Sequence, residues 1–296
     1  MTRRQVVAGV AAAAGLAGCA SGDRAYRPAE GLTTNSESVH TGLADSEGRN
    51  FVSIRLCQYP DDQVAWIWVA ALLDGEFWQF ADNSIAWPGA SSFDPDATHA
   101  DYIADAGHTT VRFSRDGLVQ HPQACGAEFA SEKSGGASLE VSFNPASQFV
   151  GLIPGRAEVF GTASAKAVVR GREVNFAGPA QWHEQQQTDP RFVVPFVYAS
   201  LWGEGNYSTL LETPQGSGGY IIHDNAVTPI TRAEFSQPAA SRQAGITTKD
   251  GATSDIQIEE MNHYFLDIYG KPWRGAFVKS RVMDVPVCGI ANTWLM

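Results

Sequence analysis

The chain has 296 residues, and its 21 Lys and Arg stand against 32 Asp and Glu, giving a formal net charge of -11. This acidity argues against a nucleic-acid partner, because nucleic-acid-binding proteins need a basic surface. Beyond the N-terminal run, no apolar stretch is long enough to cross a bilayer as a helix. We therefore expect a globular protein whose partners are not nucleic acids.

The first 19 residues have the composition of an export signal. Two arginines at positions 3 and 4 precede an Ala- and Gly-rich apolar run over residues 6–16, which is too short to span a membrane. The arginine pair favours the twin-arginine route. The sequence Leu-Ala-Gly-Cys, ending at Cys19, is similar to a bacterial lipobox. We predict a signal peptide over residues 1–19, a lipid anchor at Cys19 and a periplasmic location; the alternative is an ordinary signal with a chance cysteine.

Residues 20–49 are rich in Gly, Ser, Thr and charge and lack apolar periodicity, so we predict a flexible tether there. The rest of the chain contains short runs of Val, Ile, Phe and Trp that are bounded by turn residues. Several runs alternate apolar and polar residues, which favours antiparallel sheets. The sequence thus predicts an all-β fold, with a short helix allowed only at residues 97–104.

A weak internal repeat divides the globular part. Residues 66–77 align with residues 196–207, so that aromatic residues match at three positions and acidic-Gly turns match at 74–75 and 204–205. Two unrelated hairpins with a common turn type would look the same. We interpret the repeat as a duplicated β unit joined within residues 144–155, which gives β domains over residues 50–150 and 151–296.

Few motifs of known chemistry are present. The serine-hydrolase elbow, the P-loop and the dinucleotide fingerprint are all missing, so we predict no cofactor. Apart from Cys19, the cysteines Cys57, Cys125 and Cys288 allow at most one disulfide and form no CxxC pair, and we interpret them as small buried residues. Three histidines on separate strands could converge on a metal ion, but no short-range ligand spacing supports this, and we predict no metal.

Two polar clusters are candidates for acid–base chemistry. His183 and Glu184 place a titratable base beside a carboxyl group, although successive residues of a strand point to opposite faces. His223 and Asp224 end a strand-like run, where Asp also favours a turn. A plain polar loop explains the first cluster and a turn explains the second equally simply, so these alternatives stay open.

Aromatic residues are concentrated near both repeat copies. We expect Trp66, Trp68, Trp182, Tyr198 and Trp202 to line an apolar ligand cavity, because Trp and Tyr combine an apolar body with a polar tip. Ordinary core packing is the alternative for Trp66 and Trp68, which share one face of a strand by period two.

Three segments together resemble one known family. Residues 171–185, which run from Gly-Arg-Glu-Val into Trp-His-Glu-Gln, residues 196–211 with their aromatic strand and acidic-Gly turn, and residues 65–80 are similar to the hydroxyneurosporene synthase/AttH-like proteins. That family includes carotenoid 1,2-hydratases and, more distantly, fungal Diels–Alderases. The resemblance implies two lipocalin-like antiparallel β-barrels or sandwiches in tandem.

The resemblance also implies a reaction. Hydration of an alkene begins with proton transfer to carbon, which needs an acid held in apolar surroundings, and aromatic faces stabilise the resulting cation. On this reading Asp224 or Glu184 is the acid and His183 positions water. Trp182, Tyr198 and Trp202 line the pocket, together with His223.

The sequence therefore favours an exported lipoprotein that binds an apolar, terpenoid- or polyene-like molecule. It would act, if it is an enzyme, as a cofactor-independent hydratase, isomerase or cyclase. One alternative is a non-catalytic carrier of the same fold. A second is a β-sandwich carbohydrate-active protein, which predicts an exposed Trp-lined groove with two carboxylates about 5–10 Å apart.

Overall fold

The computed structural model describes residues 36–86, 92–93, 98–105, 108–115, 119–121, 132–133, 137–169, 171–187, 194–268 and 271–294. Within these ranges the chain is all β and contains no helix. The described part accordingly includes no helix long and apolar enough to cross a membrane. The predicted signal peptide with Cys19, and also Cys125, lie outside the described residues.

The strands fall into two sheets. The first sheet is built from β1 (Ser36–Ala44), β2 (Phe51–Tyr59), β3 (Val64–Leu73), β4 (Glu76–Ala86), β5 (Ser92–Phe93), β6 (Thr98–Asp105), β7 (His108–Arg115), β8 (Val119–His121), β9 (Glu132–Lys133), β10 (Ala137–Pro145), β11 (Val150–Gly151), β12 (Arg156–Val169) and β13 (Arg172–Gln187). The second is built from β14 (Phe196–Trp202), β15 (Asn206–Thr213), β16 (Gly216–His223), β17 (Ala226–Phe235), β18 (Ser241–Thr248), β19 (Thr253–Ile268), β20 (Lys271–Val282) and β21 (Val285–Trp294). This confirms the predicted all-β class.

The described residues divide into two compact units. Residues 36–146 and 160–187 form the sheet unit, and residues 147–159 and 194–294 form the barrel unit. The first four residues of β12 thus belong to the barrel unit, and the rest of β12 belongs to the sheet unit. The division differs from the predicted boundary at residue 150, because β12 and β13 pair within the first sheet.

The first sheet has the order β5-β6-β7-β10-β12-β13-β1-β2-β3-β4-β8-β9, with β11 paired to β12. β1 lies in its middle, hydrogen-bonded to β13 on one side and β2 on the other. Residues 36–44 are therefore a central strand, whereas the sequence predicted a tether; the alternating Val39, Thr41 and Leu43, all buried, supply the apolar face. The helix allowed at residues 97–104 is wrong, since residues 98–105 form β6.

The second sheet is a closed barrel of β14 to β21, and all eight pairings are antiparallel. Side chains from all eight strands meet in one buried aliphatic cluster, so this cluster lies in the barrel interior. Its members are Ala199, Leu201, Leu210, Ile221, Ile230, Ala233, Ala244, Ile246, Ile256, Ile258, Ala276, Val278, Val282, Val287 and Ala291. The residues between them in each strand point to the outside of the barrel wall.

The two repeat copies form equivalent hairpins, one in each sheet. In the first, Leu73 pairs with Glu76 across a two-residue turn in which Gly75 has a φ of 81°. In the second, the N–H of Gly203 donates to the carbonyl of Asn206 at 2.8 Å across a turn in which Gly205 has a φ of 62°. Glycine is favoured at both turns because its φ is positive there, which explains the acidic-Gly signal in both copies.

Candidate functional site

Two histidines from distant parts of the sequence lie side by side in the sheet unit. His40 on β1 and His183 on β13 are partners in the antiparallel register, and both are buried. Their rings stack with centroids 4.8 Å apart and planes inclined by 26°. The Nε2 atom of His40 is 2.9 Å from Ser53 Oγ on β2, which fixes the His40 ring. Imidazole is the side chain that exchanges a proton near neutral pH, so this pair places two proton carriers in contact.

Aromatic side chains extend the same face of the sheet across β2 and β3. His40 is in register with Arg55, and Arg55 with Trp68, so all three point the same way. The Arg55 guanidinium lies 5.6 Å from the centroid of the Trp68 ring. That ring is 5.8 Å from Trp66, whose own ring is 4.7 Å from Tyr59. The face therefore combines proton carriers, a cation and a row of aromatic rings.

This surface is named the histidine face. It consists of His40, His183, Ser53, Arg55, Trp66 and Trp68. Three of its members, His183, Trp66 and Trp68, are site residues that the sequence predicted, and the structure brings them together on one face. Sequence reasoning missed His40, Ser53 and Arg55, because they lie on strands β1 and β2, one of which was interpreted as a tether.

The neighbours of His183 in β13 point to the opposite face. The Nε1 atom of Trp182 donates to Glu184 Oε1 at 3.3 Å, so these two side chains share a face. The ring of Trp182 is buried and lies 6.3 Å from Phe143 in the apolar core of the unit. As strand geometry requires, Glu184 and His183 are separated by the sheet. The structure thus places the predicted residues Trp182 and Glu184 away from the histidine face.

The second predicted cluster lies in the barrel unit, at the turn from β16 to β17. Asp224 has a φ of 48° and Asn225 a φ of 63°, as in a tight hairpin turn. The Asp224 side chain is 86% exposed and the His223 side chain is 44% exposed, and His223 Nε2 is 3.5 Å from Asp224 Oδ2. This turn does not supply the apolar surroundings that an acid acting on an alkene requires.

A buried carboxylate that the sequence did not single out lies on the outer wall of the barrel. Glu158 is fully buried, and its Oε1 accepts from Arg156 Nε at 2.5 Å and from the Tyr198 hydroxyl at 3.2 Å. Its Oε2 accepts from Thr209 Oγ1 at 2.7 Å and from the Tyr220 hydroxyl. The Arg156 guanidinium lies 4.6 Å from the centroid of the Tyr198 ring. These five residues are named the Glu158 network.

The charges and hydrogen-bond donors of the Glu158 network are matched within the network. Burial raises the pKa of the Tyr220 hydroxyl well above its ordinary value, and the nearby charge of Glu158 raises it further. Burial by itself lowers the pKa of Arg156, but Glu158 and the two tyrosines together raise it, and the net shift is upward. Arg156 therefore keeps its charge and Tyr220 keeps its proton. A carboxylate has about four lone-pair sites, and here four donors use them.

The predicted ligand-lining residues Tyr198 and Trp202 lie on this outer wall, since they alternate with interior residues along β14. The Tyr198 hydroxyl is engaged by Glu158, and Trp202 Nε1 donates to Ser200 Oγ at 2.7 Å. The sequence signal for this network was the Arg-Ala-Glu at the start of β12. Two charged residues two positions apart share one face of a strand, but such a pair is also typical of a solvated surface.

The other predictions about ligands concern metals and thiols. Among the described residues, no group of three or more His, Cys, Asp or Glu side chains is arranged to hold a metal ion. Cys57 and Cys288 are both buried free thiols. The predicted role of these two residues as small buried side chains is therefore confirmed.

Comparison with solved structures identifies proteins with the same arrangement of strands. The crystal structure of CghA with Sch210972 superposes with a TM-score of 0.58, at 9% sequence identity, over 88% of each chain. A crystal structure described as an AttH protein, from Nitrosomonas europaea, gives a TM-score of 0.50 at 13% identity, over 94% of this chain and 99% of that one. The chain has an AttH-like fold.

The comparison confirms the predicted AttH-like resemblance at the level of the fold, because identities this low carry no residue roles from one protein to another. No protein-family profile and no curated protein matches the sequence. The function of this AttH-like chain therefore has to be argued from its own side chains.

Proposed function

We propose that the chain binds an apolar small molecule against the histidine face and adds water to, or isomerises, an activated double bond. The observation that supports this proposal is the buried, stacked pair of His40 and His183 on the same face of the sheet as Trp66 and Trp68. Buried imidazoles that share a sheet face with aromatic rings suit a ligand that is apolar over most of its surface and reactive at one point.

In such a reaction, the imidazole pair takes a proton from water and returns it to the product. One neutral imidazole takes a proton from water as the water oxygen bonds to the electrophilic carbon of a double bond conjugated to a carbonyl. The same proton then passes to the adjacent carbon, so no oxidant, reductant or cofactor is consumed. The stacked rings, with centroids 4.8 Å apart, keep the second imidazole within reach of the reacting one.

The remaining residues of the histidine face have supporting roles. His40 is held by Ser53 and acts as the positioning partner of His183, which we assign as the proton carrier. The Arg55 guanidinium supplies positive charge where negative charge develops on the carbonyl oxygen. Trp66 and Trp68 provide flat apolar surface for the rest of the ligand.

The test compares two variants with one control. His183→Asn and His40→Asn should each slow hydration of chalcone, an aromatic enone, by about 100-fold or more, because general acid–base catalysis contributes at least that much. Product formation is followed as the gain of one water in mass. The control is His223→Asn in the half-exposed turn, which should turn over chalcone like the native protein.

The other outcomes are informative as well. Full activity in both His40→Asn and His183→Asn would remove the histidine face from the reaction. Hydration of lycopene but not of chalcone would contradict imidazole chemistry, because protonating an unactivated alkene needs a stronger acid. Quenching of tryptophan fluorescence by chalcone or lycopene with no product from either would favour the carrier alternative.

The location of the protein belongs to the same proposal. A signal over residues 1–19 and a lipid on Cys19 would hold the chain at the periplasmic side of a membrane, where apolar molecules partition. Cys19→Ser should release the exported chain from the membrane fraction. If the native chain and Cys19→Ser fractionate alike and the native chain carries no lipid by mass spectrometry, the predicted lipid anchor at Cys19 is wrong.

A further inference from the structure

The interior of the barrel changes from aliphatic to charged at one end. In antiparallel strands, the ends of β15, β17, β19 and β21 lie at the same end of the barrel as the starts of β16, β18 and β20, and the polar interior positions are found toward that end. Each of these polar residues lies two positions from an interior aliphatic residue on its own strand, or is paired with one on a neighbouring strand. This charged end consists of Glu212, Arg242, Glu260, His263, Arg274 and Thr293.

Arg242 is the residue of this end whose hydrogen bonding is incomplete. It is only 2% exposed, and its Nη1 donates to Thr293 Oγ1 at 3.2 Å. Its guanidinium carbon lies 4.9 Å from the centroid of the Phe235 ring. The Nε and Nη2 donors have no hydrogen-bond partner among the described residues. These two N–H groups form one edge of the planar guanidinium, the fork that matches the two oxygens of a carboxylate.

The other charged groups of this end are already engaged. Arg274 and Glu260 form a bidentate ion pair, with Nη1 and Oε1 2.6 Å apart. Glu212 Oε2 accepts from the backbone N–H of Phe235 at 2.8 Å. Burial lowers the pKa of His263, and the charge of Arg274 lowers it further against the opposing effect of Glu260. No described carboxylate forms an ion pair with Arg242, and burial without such a partner lowers its pKa.

Small side chains adjoin this charged end inside the barrel. Ala276 on β20 pairs with Ala291 on β21, and Ala291 pairs with Ala199 on β14, which makes a row of three alanines across neighbouring strands. The next interior row toward the charged end is Arg274 and Thr293. An apolar chain entering beside Arg242 would therefore meet methyl groups before it meets the larger aliphatic side chains.

We propose that the charged end of the barrel is a second ligand site, which binds an amphipathic monocarboxylate. The carboxylate accepts from Nε and Nη2 of Arg242, and the hydrocarbon part lies against the alanine row. This site is independent of the histidine face, because all of its residues belong to the barrel unit.

The charges of the site favour a single negative charge on the ligand. Arg274 is paired with Glu260, whereas Arg242 has no ion-pair partner among the described residues, so one bound carboxylate supplies its counter-charge. A phosphate, with close to two charges, would place an extra uncompensated charge beside Glu212 and Glu260, which repel it. An uncharged alcohol would bring no counter-charge to the buried guanidinium, so its hydrogen bonds to Arg242 would be weaker.

The test measures binding of decanoate, decanol and decyl phosphate to the full chain by titration calorimetry. Decanoate should bind at least about 10-fold more tightly than decanol or decyl phosphate, since hydrogen bonds between charged groups are about twice as strong as neutral ones. Arg242→Gln should weaken decanoate binding about 10-fold or more and leave decanol binding unchanged.

Two further variants act as controls. Arg232→Gln changes an exposed arginine of β17 that pairs with Glu234, and it should bind decanoate normally. His183→Asn should also bind decanoate normally, which separates this site from the histidine face. If His183→Asn loses decanoate and Arg242→Gln does not, the carboxylate binds at the other site and the present proposal is wrong.

A measurement on the native chain covers the case in which Arg242→Gln does not fold. With ¹⁵N-arginine labelling, decanoate should shift the Nε–H signal of one arginine, and Arg242→Lys should remove that signal. Equal affinity for decanoate and decanol, no binding of either, or unmoved Nε–H signals would each overturn the proposal.

Discussion

Two buried arginines of the barrel unit sit in opposite electrostatic situations. Arg156, on the outside of the barrel wall, is paired with Glu158, which also accepts hydrogen bonds from Tyr198, Thr209 and Tyr220. Arg242, inside the barrel, bonds to Thr293 and has no described carboxylate at ion-pair distance. The Glu158 carboxylate has four hydrogen-bond donors from the protein, whereas the Nε and Nη2 donors of Arg242 have no partner among the described residues.

The difference separates a structural role from a binding role. A closed network cannot accept a ligand without giving up a hydrogen bond that it already has, and it therefore contributes to the stability and specificity of the fold. An arginine with unused donors costs desolvation energy in the folded protein, and a ligand can recover that energy. Stability measurements on four variants test this contrast.

The largest effect should come from removing the charge of Glu158. Glu158→Gln leaves Arg156 as a buried cation without a counter-charge, so the free energy of unfolding should fall by about 3–5 kcal/mol, as measured by urea denaturation. The control is Glu173→Gln, which breaks an exposed ion pair with Lys166 and should not shift the urea midpoint measurably.

A second variant shows whether the loss comes from the unpaired charge. Arg156→Met combined with Glu158→Leu removes both charges together, so the double variant should be more stable than Glu158→Gln alone. A double variant that is as unstable as Glu158→Gln would mean that packing, and not the charge pair, accounts for the loss.

A smaller effect, with a pH dependence, should come from the Tyr220 hydroxyl. Tyr220→Phe keeps the buried ring but removes one donor to Glu158, so it should cost about 1–2 kcal/mol at neutral pH. The pKa of Tyr220 is raised in the folded state, so above the ordinary tyrosine pKa of about 10 the native state binds more protons than the unfolded state. Native stability should therefore fall as pH rises above 10.

The Tyr220→Phe variant should lose part of that alkaline slope. Its urea midpoint, measured between pH 9 and 11, should change less steeply with pH than that of the native chain. An identical slope in both proteins would show that Tyr220 does not titrate differently in the folded and unfolded states.

The smallest effect should come from Arg242. Arg242→Met removes a buried cation that has no ion-pair partner and keeps an apolar side chain of similar length, so the free energy of unfolding should change by less than about 1 kcal/mol in either direction. A loss as large as that of Glu158→Gln would place Arg242 in a structural network, and the contrast between the two arginines would disappear.

Much of the local structure follows from sequence patterns. The alternation of apolar and polar residues predicted strands, and the acidic-Gly pairs at 74–75 and 204–205 predicted two of the hairpin turns. Period two also predicted that His183 and Glu184 point to opposite faces, as they do. The interpretation of residues 20–49 as a tether did not anticipate β1, because a strand that contains as many polar residues as β1 resembles a linker until its partners are known.

The candidate sites could be predicted only in part, because they depend on pairing between distant segments. Nothing local in the sequence brings His40 beside His183, or Glu158 beside Tyr198, Thr209 and Tyr220; the strand order and register do so. Likewise, Arg242 is an ordinary arginine at the start of a strand until the barrel closes around it.

The sequence by itself determined that the chain is built from strands, where several of them turn, and which side chains of one strand share a face, since these properties depend on near neighbours along the chain. The tertiary structure alone decided which faces are buried, which ionisable groups meet and which donors are left over. Those outcomes arise when sheets pair and close, and the burial that this produces sets the cost of every unsatisfied charge.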